Sequence, residues 1–137
     1  MVFLKRVLYW EAAALALLGA ALVVVPGVVF VDLLDQAAPP DAAWMRIAGV
    51  QSLGLAMVMV LVGQSVEDRW WWAWAFAVVF AGTATIAVVN AAFGVPEGAS
   101  PVSWWLLGLV SVGMAAALLW ALGRAGIERP PDIEPGG

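Results

Sequence analysis

Cysteine and histidine are both absent from the 137 residues, and lysine occurs once, at Lys5. Without cysteine the chain forms no disulfide, no iron–sulfur cluster and no zinc–thiolate site. Without histidine it lacks the usual haem ligand, proton shuttle and transition-metal ligand. Charge is scarce as well. Charged residues make up 12% of the chain and the net charge is −4, against about 25% charged residues in soluble domains. No basic patch offers a surface to nucleic acid. No serine stands beside a base, no carboxylates pair within an apolar stretch, and no glycine loop is built for phosphate. The expectation is therefore of no catalytic residue, no cofactor and no bound metal.

What fills the chain is apolar sequence, 64% of the residues. It falls into four blocks, about 7–25, 43–63, 70–93 and 102–123. Each reaches the roughly 20 residues that a helix needs to cross a bilayer. A helix apolar on every side is lipid-bathed or deeply buried, and a chain this short cannot bury four. The predicted fold is all-α, an integral membrane bundle of four transmembrane helices over 1–123. Residues 124–137 are polar and proline-rich and read as a disordered cytoplasmic tail. The first block has a basic start, as a signal peptide does, but is longer than the 7–15 apolar residues of one. It reads as a retained span.

Positive charge sets an orientation. Lys5, Arg6, Arg69, Arg124 and Arg129 fall on one side of the predicted bundle and Arg46 alone on the other. Cytoplasmic loops carry the excess of Lys and Arg. The expectation is a multi-pass protein of the plasma or inner membrane with both termini in the cytoplasm. The tryptophans agree. Trp10, Trp70, Trp71, Trp72, Trp74 and Trp120 lie near one set of span ends, and Trp44, Trp104 and Trp105 near the other. Such belts mark membrane interfaces. The Trp70–Trp74 cluster reads as an anchor, with an aromatic ligand cage as the sharper alternative.

Pro26-Gly27 interrupts the first block. Proline removes a backbone donor and clashes with the preceding turn. The helix either kinks there or ends at Val25, with Pro26 opening a short interfacial segment over Val28–Gln36. The second is favoured, because Phe30, Leu33 and Leu34 suit lipid while Asp32 and Asp35 suit water. Residues 37–41 and 94–101 read as outer turns. The short inner turn, Gln64–Arg69, predicts antiparallel packing of the second helix on the third.

Lipid tails are as apolar as leucine, so helices associate in membranes through small residues that permit close approach. Each span carries such a stripe: Ala12, Ala16, Gly19 and Ala20; Ala48, Gly49, Ser52, Ala56 and Gly63; Ala73, Ala77, Ala84, Ala87 and Ala91; Gly108, Ser111 and Ala115. These faces should point inward.

Ionisable groups within spans are candidate functional sites. Glu11 shares a face with Leu15, Leu18 and Leu22, away from the alanine stripe. That face is expected to meet lipid, making Glu11 an interfacial carboxylate paired with Arg6 or Arg69; the alternative is a proton-coupling group. Arg46 is expected to bridge to Asp32, Asp35 or Asp41, or else to meet an anion or lipid headgroup through its paired donors. Gln51, Thr83, Thr85, Asn90 and Ser111 are the deeper polar groups. They read as interhelical glue, worth about 0.6 kcal/mol per hydrogen bond. The alternative is an outward-opening pocket formed by Arg46, Gln51, Asn90 and Ser111.

Gly19, seven residues before Pro26-Gly27, and Arg46-Ile-Ala-Gly49 at the start of the second helix resemble features of small four-helix bacterial membrane proteins. The resemblance covers most of the membrane region. It implies the fold and a structural part for Pro26 and Arg46, and no particular activity. The functional expectation is a non-catalytic membrane protein acting by association, as a homo-oligomer or as an accessory subunit of a larger complex. The alternative is a transporter or a binder of lipid or small ligand around Arg46. The expected partners are membrane lipids, further copies or a larger complex, and no nucleic acid.

Overall fold

A computed structural model describes residues 1–36, 41–95 and 100–128 of the chain. Its four long helices are α1 (Val2–Val24), α2 (Ala43–Gln64), α3 (Val66–Gly94) and α4 (Val102–Glu128), and no strand occurs among the described residues. All four are long and apolar enough to cross a bilayer. The protein is a multi-pass, all-α membrane bundle. The expected outer turns lie partly outside the described residues, at 37–40 and 96–99, as does the tail from residue 129. The fourth helix runs past Gly123 through Arg124 to Glu128.

The break after α1 follows from Pro26. A residue before proline is pushed out of helical backbone, and Val25 stands at φ −129°, ψ 54°. Its own N–H still bonds to Ala21, 2.9 Å away. Beyond it a π-helical segment covers Val28–Leu33. The segment closes on Asp35, whose φ of 49° is left-handed, a conformation that aspartate tolerates better than most residues. The Gln36 amide reaches back to the Phe30 carbonyl at 3.0 Å. An ordinary α-helical cap spans five residues; this one spans six, because the π-turn is one residue wider.

Helix α3 is composite. Ser65, at φ −118° and ψ 40°, is the only residue between α2 and the turn Val66–Arg69. A 3₁₀ turn over Trp70–Trp72 leads into the α-helix Ala73–Val89, and a π-turn, Asn90–Gly94, ends the span. Trp71, Trp72 and Trp74 are exposed on this rim, with the Trp71 and Trp72 rings 5.2 Å apart and tilted by 36°. They form an outward-facing array rather than a closed cage.

The bundle is two zipped pairs. Helix α1 packs along α2 and α3 along α4, while α1 meets α4, and α2 meets α3, along shorter seams. The expected antiparallel packing of the second helix on the third is therefore a minor seam beside the closer α1–α2 and α3–α4 pairs. The tight turn joins them, but small residues elsewhere make the closer contacts. Gly19 meets Gly49, and Gly108 meets Ala87 and Val88. Nearly all of the predicted small-residue faces are buried or half-buried, the exceptions being Ala20 and Ala48.

The shared core sits at one end. Leu4, Leu8, Met59, Val62, Phe76, Phe80, Leu118 and Leu122 form it. At this terminal end the Met1 ammonium pairs with the Glu128 carboxylate. Lys5 lies over the Tyr9 ring at 5.9 Å and Arg124 over Phe3 at 5.6 Å. The Tyr9 ring in turn covers Gly63. Toward the opposite, distal end the buried residues belong to the separate pairs.

Candidate functional site

The α1–α4 seam holds the bundle's one fully buried charged side chain among the described residues. Glu11 is 5% exposed, and neither carboxylate oxygen has a hydrogen-bond partner. Its placement corrects the expected lipid-facing position. Helix α1 lies between two neighbours. Its Gly19 side meets α2, while Glu11 turns toward α4; Leu22 lies between the two, its Cβ against Gly49 and its side chain lining a cleft with Trp104 and Leu107. Leu15 and Leu22 on that face are half-buried, whereas Leu18 remains 41% exposed. Glu11 pairs with neither Arg6 nor Arg69. Arg6 is five residues away, about 140° round the helix, whereas facing pairs are three or four apart.

An open groove of about 520 Å³ runs beside Glu11 along this seam. Phe3, Arg6, Val7 and Trp10 line it from α1, and Val110, Gly113, Met114 and Ala117 from α4. Trp10 is 79% exposed at its rim. Gly113 and Ala117 are one turn apart, and a Cβ built on Gly113 would have nothing within 4 Å. A small-x-x-x-small pair facing open space is the surface on which membrane helices approach closely. Here it lies next to an unsatisfied carboxyl.

Farther along the same seam is an apolar cleft of about 220 Å³ between Leu18, Leu22, the π segment, Trp104 and Leu107. Gln36 closes its distal end. The Gln36 Nε2 donates to the Ser103 Oγ at 2.9 Å and lies 3.4 Å from the Ser100 carbonyl. This tie of the π segment to α4 is a contact that the sequence does not announce.

The other predicted site residues do not assemble. Arg46 is exposed at the distal end of α2 and bridges to none of Asp32, Asp35 or Asp41. Gln51 is exposed on the face of α2 turned from α1, and it has no hydrogen-bond partner. Asn90 is half-buried across the bundle in the π-turn, where its Oδ1 occupies the place of a Gly94 Cβ. Ser111 is buried on α4 near the Gly108 contact. These four residues thus sit on different surfaces of the bundle. The hydroxyls of Ser52, Thr83 and Thr85 each bond to the carbonyl four residues back, at 2.9 Å. They therefore do not glue helices together.

Neither the open Gly113/Ala117 pair nor the burial of Glu11 has a signal in the sequence, because both depend on which neighbour each face of α1 meets. No protein-family model matches the chain, and neither a curated protein nor a solved structure is significantly similar to it.

Proposed function

We propose that this is a small non-catalytic membrane protein that works by association, and that the α1–α4 groove is its docking surface for a transmembrane helix. The observation that carries this reading is the coincidence of Glu11 with the open Gly113/Ala117 pair. A buried carboxyl without a partner costs about 1–3 kcal/mol, and a helix seated on small residues beside it can supply the missing donor. We place the protein in the plasma or inner membrane with both termini in the cytoplasm. Lys5, Arg6, Arg69 and Arg124 at the terminal end, against Arg46 at the other, support that placement.

The test is the particle mass in mild detergent, checked by crosslinking in native membranes. The chain is 14.4 kDa, and the expected particle contains more than one chain. Gly113→Leu fills the groove and should return the particle to a single chain, whereas Gly82→Leu, on an open face of α3, should not. A single-chain particle for the unaltered protein in both settings overturns the reading. So does a groove filled by lipid or a small molecule with no second helix.

A further inference from the structure

Resting on that reading, we infer that the helix seated in the groove is α4 of a second copy, in a two-fold pair in which Trp120 of each copy donates its indole N–H to Glu11 of the other. The groove supplies an acceptor, Glu11, buried on α1 with both oxygens unbonded. On its α4 side it offers Gly113 and Ala117. Trp120 continues that face of α4. It is seven residues beyond Gly113, two turns on and within about 20° of the same direction. It is 67% exposed. Its indole is a donor without an acceptor, and that donor has no hydrogen bond. One strip of α4 therefore carries both the small residues on which a second backbone can rest and the donor that the groove lacks. Strip and groove adjoin on one molecule, so each copy is host and guest at once. Such a contact is isologous and closes at two chains.

The depths agree. Met1 pairs with Glu128, which sets one level for α1 and α4. Glu11 is ten residues from Met1 and Trp120 eight from Glu128, or about 15 Å and about 12 Å at the helical rise. A two-fold axis along the membrane normal keeps both copies at the same level. Gly113 then meets Gly113 and Ala117 meets Ala117, while Trp120 of one copy stays within about 3 Å of the level of Glu11 in the other. Side chains lean toward the N-terminus of their helix, and α1 and α4 run in opposite directions. Glu11 therefore leans toward the terminal end and Trp120 away from it, which covers that difference. Arg6 and Arg124 sit too near the terminal end to compete, at about 8 Å and about 6 Å from the shared level, and Arg124 already lies over Phe3. In the single chain the Glu11 oxygens are covered. A change of rotamer turns them into the groove that Glu11 lines.

The absence of cysteine makes the test clean. Gly113 lies beside the two-fold axis, so Gly113→Cys alone should give a disulfide-linked pair of chains in oxidised native membranes. Gly54→Cys and Gly82→Cys, in open space on α2 and α3, should give none. Trp120→Phe keeps an aromatic ring and removes the donor, and Glu11→Leu removes the acceptor. Each change deletes both bonds of the pair and should weaken self-association about 8- to 300-fold, the range for two interhelical hydrogen bonds in membranes. The variant carrying both changes should lose no more than the larger single effect, because the same bonds are removed. Association without a Gly113 crosslink, association of full strength in Trp120→Phe, or additive losses overturn this inference and leave the groove to another helix. Absence of any association overturns the groove reading as well.

Discussion

A Cβ added to Gly19 would stand 2.7 Å from the Gly49 carbonyl oxygen, and a Cβ added to Gly49 would stand 2.7 Å from that of Gly19. The contact is reciprocal and backbone to backbone, so neither side can yield by changing a rotamer. Gly19→Ala or Gly49→Ala should therefore destabilise the α1–α2 pair by about 1–3 kcal/mol, the usual cost of overpacking. Gly108→Ala should cost less, because its 3.0 Å neighbour is the Val88 Cγ2, the end of a side chain. Gly54→Ala meets nothing and should gain the helix-propensity difference, up to about 1 kcal/mol. Unfolding in mixed micelles checks the order. Equal effects at Gly19 and Gly54 would contradict the close contact.

Glu11 sets stability against association. In the isolated chain its carboxyl is buried among apolar groups with nothing to bond. Glu11→Leu removes that cost and keeps the interhelical packing. Single chains of the variant should unfold with about 1–3 kcal/mol more difficulty than the unaltered chain, even as self-association falls. Measured on single chains held apart by dilution in detergent, a loss of stability would mean that the carboxyl has a native partner within the chain.

The four spans, the break at Pro26 and the inward glycines could be read from the sequence because each depends on one helix alone. Apolar length, a missing backbone donor and small-residue spacing are local properties. Pairing was not legible. Gln64–Arg69 suggested that the second and third helices pack together, but loop length limits which helices can meet without deciding which meet most closely. The Gly19–Gly49 contact decides it. The same gap misplaced Glu11. A leucine face on a membrane helix is equally consistent with lipid or a neighbouring helix, since both are apolar. The π segment could be placed, but its tie through Gln36 to Ser103 could not, because that contact joins residues 67 apart.

Gln36 holds the π segment down. Its amide bonds to the Ser103 Oγ and to the Leu34 carbonyl, while the backbone beside it runs through the left-handed Asp35. Gln36→Ala should release the Val28–Gln36 stretch at a cost of about 1 kcal/mol, one net hydrogen bond. The release should be local. Amide exchange should rise across 28–36 and stay unchanged at Leu4, Leu8 and Leu118 in the shared core. Exchange that rises uniformly would mean that the segment is integral to the core.

Orientation has a direct readout, again because no native thiol interferes. Asp32 and Glu67 are both exposed, one in the π segment and the other in the turn between α2 and α3. A single span separates those two regions, so they lie on opposite sides of the membrane. With Lys5, Arg6, Arg69 and Arg124 held in the cytoplasm, Asp32→Cys should react with a membrane-impermeant maleimide on intact cells. Glu67→Cys should react only after permeabilisation. The reverse pattern would invert the protein and remove the support that charge gives to the placement. Labelling of both thiols in intact cells would mean that the chain inserts both ways. Neutralising Lys5 and Arg6 together should move the unaltered pattern toward that mixture, because the charges nearest the first span usually dominate the choice.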